Sequence, residues 1–160
     1  MDDVIKQVNS IPKSWEEFVT LAVEVHKAKH IDYEDAFMDM LVDERANGRI
    51  IWAWEVKKKL DRLRRWIKKG KLLVKGEGVL DSIIDLCNYT VQYDISHKMH
   101  PYSFLPADKF RAHYEFMGRM CIIRYLTDPS CGLSKPLLDY GDMTDDRVLD
   151  LLLRYMGTKD

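Results

Sequence analysis

Advancing about 100 degrees per residue along a helix, Glu77, Asp81, Asp85, Asn88 and Gln92 fall within roughly 40 degrees of one line. Carboxylates on adjacent turns repel one another unless something positive sits between them. A hard divalent cation meets that need: magnesium takes oxygen ligands and tolerates water in the rest of its shell, and manganese is the substitute. The bland alternative stands beside it, because acids near a helix N-terminus are favoured by the dipole and a polar stripe can simply face solvent. Leu80, Ile83, Ile84, Leu86, Cys87 and Val91 make most of the circumference apolar and argue for burial. Thr90 and Asp94, on the opposite side, argue against it.

A second set lies on the segment before. Glu55, Lys59 and Arg62 line up beside an apolar stripe and are expected to face Asp81 across an antiparallel pairing. Glu55 would add a carboxylate, while Lys59 and Arg62 suit phosphate oxygens; a solvated basic face is the competing reading. Asp61 lies roughly 120 degrees from Glu55 by the same helical arithmetic and is not a first-rank ligand. His97, His100 and His113 follow no zinc pattern and are expected at helix ends or on the surface. Asp35, Asp39 and Asp43 share a stripe opposite Phe37 and Leu41, as a solvated face would. Neither Cys131 nor Ser130 has a nucleophile context, and there is no glycine-rich phosphate loop.

Helices must position these groups. Ser14 with Glu17 predicts a capping box, and Trp15, Phe18, Ala22 and Val25 continue one apolar face to about Ala28. Asp32 and Asp35 predict the start of a shorter helix that ends at Asn47-Gly48. Val56, Leu60, Leu63 and Ile67 mark a long helix from Ile51 to about Lys69, stopped by Gly70. The acidic stripe belongs to a central helix from about Glu77 to His97. Pro106 opens another through Tyr125, and Thr144 is expected to cap a last one ending at Gly157. The fold class is therefore all-α, an antiparallel bundle of about five to six helices in one domain spanning 1–160.

The 160 residues are 46% hydrophobic and 32% charged, the balance of a globular chain able to bury its own core. No apolar run is long enough for a membrane span, the N-terminus lacks the pattern of a signal peptide, and three cysteines without zinc-like spacing fit a reducing compartment. A cytoplasmic location is the expectation. The net charge of −1 hides a crowd of lysines and arginines between Lys57 and Lys75. That segment supports an alternative function, a non-catalytic module that meets nucleic acid or an acidic protein.

The stretches Lys29-His30-Ile31-Asp32-Tyr33, Lys59-Leu60-Asp61-Arg62-Leu63 and EGVLDSIIDLCNY from Glu77 to Tyr89 resemble the nucleotide modification associated domain common in phages. That family is a relative of the MazG-like all-alpha nucleoside triphosphate pyrophosphohydrolases. Its last helix carries an acid, an Asp four and eight residues later, then Asn-Tyr; Glu77, Asp81, Asp85, Asn88 and Tyr89 match in order. The resemblance spans 14–97 as a core and leaves 101–160 as a helical extension. It implies magnesium-dependent cleavage of a nucleoside triphosphate to monophosphate and pyrophosphate, in a homo-oligomer. Asp81 and Asp85 would be metal ligands with Glu77 nearby, Asn88 would touch the nucleotide, Lys59 would reach phosphate and Tyr33 would border the base. One departure is Lys58, where relatives place an acid; Glu55 is the candidate substitute.

Overall fold

A computed structural model describes residues 11–33, 36–70, 78–98, 106–128 and 135–157. Among them are six α-helices, one 3-10 turn and no strand, so the chain is an all-α bundle. In chain order these are α1 (Trp15–Tyr33), α2 (Ala36–Asp43), the 3-10 turn Arg45–Asn47, α3 (Gly48–Lys69), α4 (Val79–Lys98), α5 (Ala107–Thr127) and α6 (Met143–Tyr155). No helix among the described residues is long and apolar enough to cross a membrane.

The cap of α1 forms as its residue types require. Ser14 Oγ accepts from the Glu17 amide at 3.1 Å, and Glu17 reaches back to the Lys13 amide at 2.8 Å, one residue before the usual recipient. From there Phe18, Val19, Ala22 and Val25 are buried, and the helix continues beyond Ala28 to Tyr33. In α2, Met38 and Leu41 point inward while Asp39 and Asp43 are exposed, the solvated face expected of them; Asp35 lies outside the described residues. The shorter helix ends earlier than expected, at Asp43, and Asp32, expected to begin it, lies inside α1; the 3-10 turn Arg45–Asn47 follows, and α3 starts at Gly48 itself, ahead of Ile51. Gly70 closes α3 in the left-handed conformation at φ 76°, its amide donating to the Trp66 carbonyl.

Cross-helix contacts give the directions. Lys59 meets Asp85, Trp52 meets Thr90 and stacks on Tyr93, so rising numbers on α3 meet falling numbers on α4 and the two run antiparallel. Ala22 opposite Asn88 and Lys29 opposite Asp85 make α1 antiparallel to α4 as well. Between these neighbours α4 is buried on nearly every side, with Ile83, Ile84, Leu86, Cys87, Val91 and Ile95 fully enclosed. Each large side chain so removed from water contributes about 1.5 to 3 kcal/mol, and this makes α4 the axis of the molecule.

Two features of the C-terminal part depart from the expectation. Gly118 interrupts α5 at φ 76°, ψ 164°, a conformation open to glycine and hardly to other residues. The cap of α6 is Asp142, which accepts from the amides of Thr144 and Asp145, so Thr144 is not the cap. Just past α6, Gly157 approaches the backbone of Ser14 so closely that a Cβ there would lie 2.3 Å from the Ser14 carbonyl carbon. This contact joins the two ends of the described chain.

Candidate functional site

The face of α4 that carries Asp81, Asp85 and Asn88 turns inward; each of the three residues is less than a tenth exposed. Taking a carboxylate out of water is costly unless a charge or hydrogen-bond donors compensate. At Asp85 the compensation is double: Lys29 Nζ from α1 lies 2.5 Å from Oδ1, and Lys59 Nζ from α3 lies 3.1 Å from Oδ2. The ammonium side chains are themselves 25% and 18% exposed, so the cluster sits at the mouth of the interior, not at its centre. An ammonium has three N–H donors, and neither lysine uses all of them on Asp85.

Around this pair the residues are mixed acid and aromatic. Glu55, one turn before Lys59, is half-buried and takes Lys58 as its ion-pair partner at 3.1 Å. Tyr89 follows Asp85 by one turn; burial, joined by the negative charges of Glu55 and Asp85, pushes its phenol up to about 12, so the hydroxyl stays protonated at neutral pH. Lys29 Nζ lies over the Tyr89 ring at 5.8 Å from the centroid, and Phe37 of α2 meets that ring edge-on at 4.7 Å. Asn88 donates from Nδ2 to the Ala22 carbonyl at 3.0 Å, while its buried Oδ1 has no partner among the described residues. Four helices thus meet at one spot that offers two cations, two carboxylates, an amide oxygen with spare accepting capacity and a phenol.

Of the expected site residues, Glu55, Lys59, Asp85 and Asn88 come together here. Asp81 is buried one turn earlier on α4, and Arg62 is half-buried one turn beyond Lys59. Asp61, set aside as a ligand, pairs instead with Lys57 and Arg64. Glu77 and the side chain of Tyr33 lie outside the described residues. Sequence reasoning missed Lys29 as a site residue, although it belongs to the motif at the end of α1.

Oxygen-only donors suit magnesium in kind. As arranged, however, the described residues do not make a metal cage: among them no three His, Cys, Asp or Glu side chains converge, and both oxygens of Asp85 already face ammonium groups. In the conformation described, lysines relieve the charge that a cation was expected to relieve.

A second polar cluster was not foreseen. Asp94, wholly buried on α4, accepts from Tyr125 and from Lys98 at 3.2 Å, and its Oδ2 lies 2.7 Å from His113 Nε2. Burial alone would raise this carboxyl, but the hydrogen bonds from Tyr125, His113 and Lys98 hold it below its ordinary value. His113 therefore serves an interior pairing and not the surface role expected of it. Cys87 and Cys121 are free, and burial pushes both thiols up, which makes them poor nucleophiles.

The chain matches no protein-family model, no curated protein and no solved structure. The family resemblance rests on the motif residues alone.

Proposed function

We propose that the chain hydrolyses a nucleoside triphosphate, taken as its magnesium complex, to the monophosphate and pyrophosphate. The observation that supports this most is the inward-facing Asp85 with Lys29 and Lys59 on its two oxygens. Such a cluster compensates the carboxylate inside the bundle and, with one acid for two ammonium groups, leaves positive charge to offer a polyanion. In this reading Lys29 and Lys59 turn from Asp85 to phosphate oxygens, where two ammonium charges stabilise the charge that builds up as the anhydride breaks. The carboxylate so freed, with Asp81 and Glu55, is the group that would hold the metal brought in by the nucleotide. Magnesium itself contributes neutralisation of phosphate charge and a more acidic water. Asn88 would turn its amide toward the nucleoside, its Oδ1 having no partner among the described residues. The rings of Tyr89 and Phe37 supply an apolar wall for a base.

The test is direct. Purified protein is incubated with the ribo- and deoxyribonucleoside triphosphates and magnesium, and pyrophosphate is measured. Release with at least one nucleotide, abolished in Asp85→Asn and in Lys59→Met, is the expected result. Absence of pyrophosphate with every nucleotide would end the hydrolytic reading, and full activity in Asp85→Asn would remove the site.

A further inference from the structure

Asp85 is one carboxylate between two ammonium groups, with Lys29 Nζ 2.5 Å from Oδ1 and Lys59 Nζ 3.1 Å from Oδ2. Together those groups carry the charge of one divalent ion, and they face the two oxygens through which such an ion would be held. The neighbouring acid Glu55 has a counter-ion of its own in Lys58. A divalent ion entering this arrangement finds no uncompensated carboxylate at Asp85 and adds to a local excess of positive charge. Between groups a few ångströms apart and largely removed from water, that repulsion is much stronger than at an exposed surface.

The two lysines are held near the acid without being sealed in. They come from different helices, α1 and α3, so each closes one side of the carboxylate independently of the other. Lys29 has a second contact, its ammonium lying 5.8 Å from the centroid of the Tyr89 ring. An aromatic face attracts a cation and favours this resting place beside Asp85. Both side chains keep some exposure, so an anion arriving from solvent can reach them.

We propose that Lys29 and Lys59 are a built-in substitute for a divalent cation: they keep such ions off Asp85 in the free chain and yield the carboxylate only when phosphate draws them away. The exclusion stands on the geometry at Asp85; its link to phosphate rests on the hydrolytic reading above. It follows that magnesium or manganese without nucleotide neither binds tightly at Asp85 nor stabilises the fold through it. Loss of lysine charge, with no acid added, is what turns this place into a metal site.

The probe is manganese(II) alone, titrated into the full chain without nucleotide, the unbound ion being followed by electron paramagnetic resonance. Glutamine supplies a neutral amide donor to Asp85 in place of a charged one. Lys29→Gln combined with Lys59→Gln should bind manganese at least about tenfold more tightly than wild type. Each single replacement should fall between the two, and Lys29→Arg, which keeps its charge, should stay at the wild-type level. Adding Asp85→Asn to the double replacement should abolish the gain. Circular dichroism reports whether each chain is folded, and if the double variant is not, the two single variants carry the same comparison. Wild type binding as tightly as the glutamine variants overturns the proposal, as does a gain that survives Asp85→Asn. No nucleotide takes part, so this failure is distinct from that of the hydrolytic reading, which shows as an absence of pyrophosphate.

Discussion

Asp85 and Asp94 are both acids on a buried helix, yet their surroundings give them different consequences. Asp85 faces two lysines that retain some exposure, so its neutralising partners can be drawn away. In Asp85→Asn the two ammonium groups lose their common anion and stay beside each other; unfolding in urea should show a loss of about 1 to 3 kcal/mol, along with the loss of pyrophosphate release. Asp94 is wholly enclosed, and its carboxyl is held below its ordinary 3.8 by Tyr125, His113 and Lys98 in opposition to burial. A depressed folded-state value means that the contribution is complete above the unfolded value and is lost as pH falls through the folded one. Stability should accordingly fall as pH drops through and below the ordinary carboxylate value of 3.8. In Asp94→Asn that acid-side decline should be shallower, with lower stability at neutral pH, as thermal melts across the range would record.

At the level of helices, the glycines mark where backbone geometry and not side-chain chemistry decides. Gly118 sits in open space at φ 76°, ψ 164°, so Gly118→Ala adds no clash but forces alanine into a conformation it avoids. The expected cost is about 1 to 3 kcal/mol. Gly157→Ala combines a positive φ with a direct collision against the Ser14 backbone, and should cost more, roughly 3 kcal/mol or above in a thermal or urea melt. Neither could be read from residue order. An isolated glycine within an apolar-periodic run such as Phe110, Tyr114, Met117 and Cys121 does not disclose its dihedrals, and the meeting of Gly157 with Ser14 joins opposite ends of the chain. What was legible was local: the Ser14 cap, the Gly70 stop, the apolar faces of α1 and α3, and the acidic face of α4 with its partner Lys59 on the antiparallel neighbour. What was not legible depends on how helices cross. Lys29 reaches Asp85 from 56 residues away, and His113 and Tyr125 reach Asp94 from 19 and 31 residues away; no periodicity within one helix encodes such encounters.

For the molecule as a whole, the crowd of positive charge on α3 is less available than its density suggests. Lys57 is tied to Asp61, Lys58 to Glu55, Lys59 to Asp85, and Arg64 to both Asp61 and Asp145. Cations compensated within the fold release few counterions on meeting a phosphate backbone. These paired cations should therefore add little to duplex binding, and a salt dependence steeper than Arg65, Lys68 and Lys69 can supply, measured by fluorescence anisotropy of a labelled duplex, would revive the nucleic-acid alternative. Among the stabilising links between helices, the bond from Asn88 to the Ala22 carbonyl has a mechanical meaning. It ties a point of α1 two turns before Lys29 to the helix that bears Asp85. Sliding α1 by a single turn, about 5.4 Å, would break this tether before it carried the ammonium clear of the acid. Whatever draws Lys29 away must then do so by swinging a flexible four-carbon arm while the rods stay in place, and adaptation at this centre is fast, short-ranged and confined to rotamers.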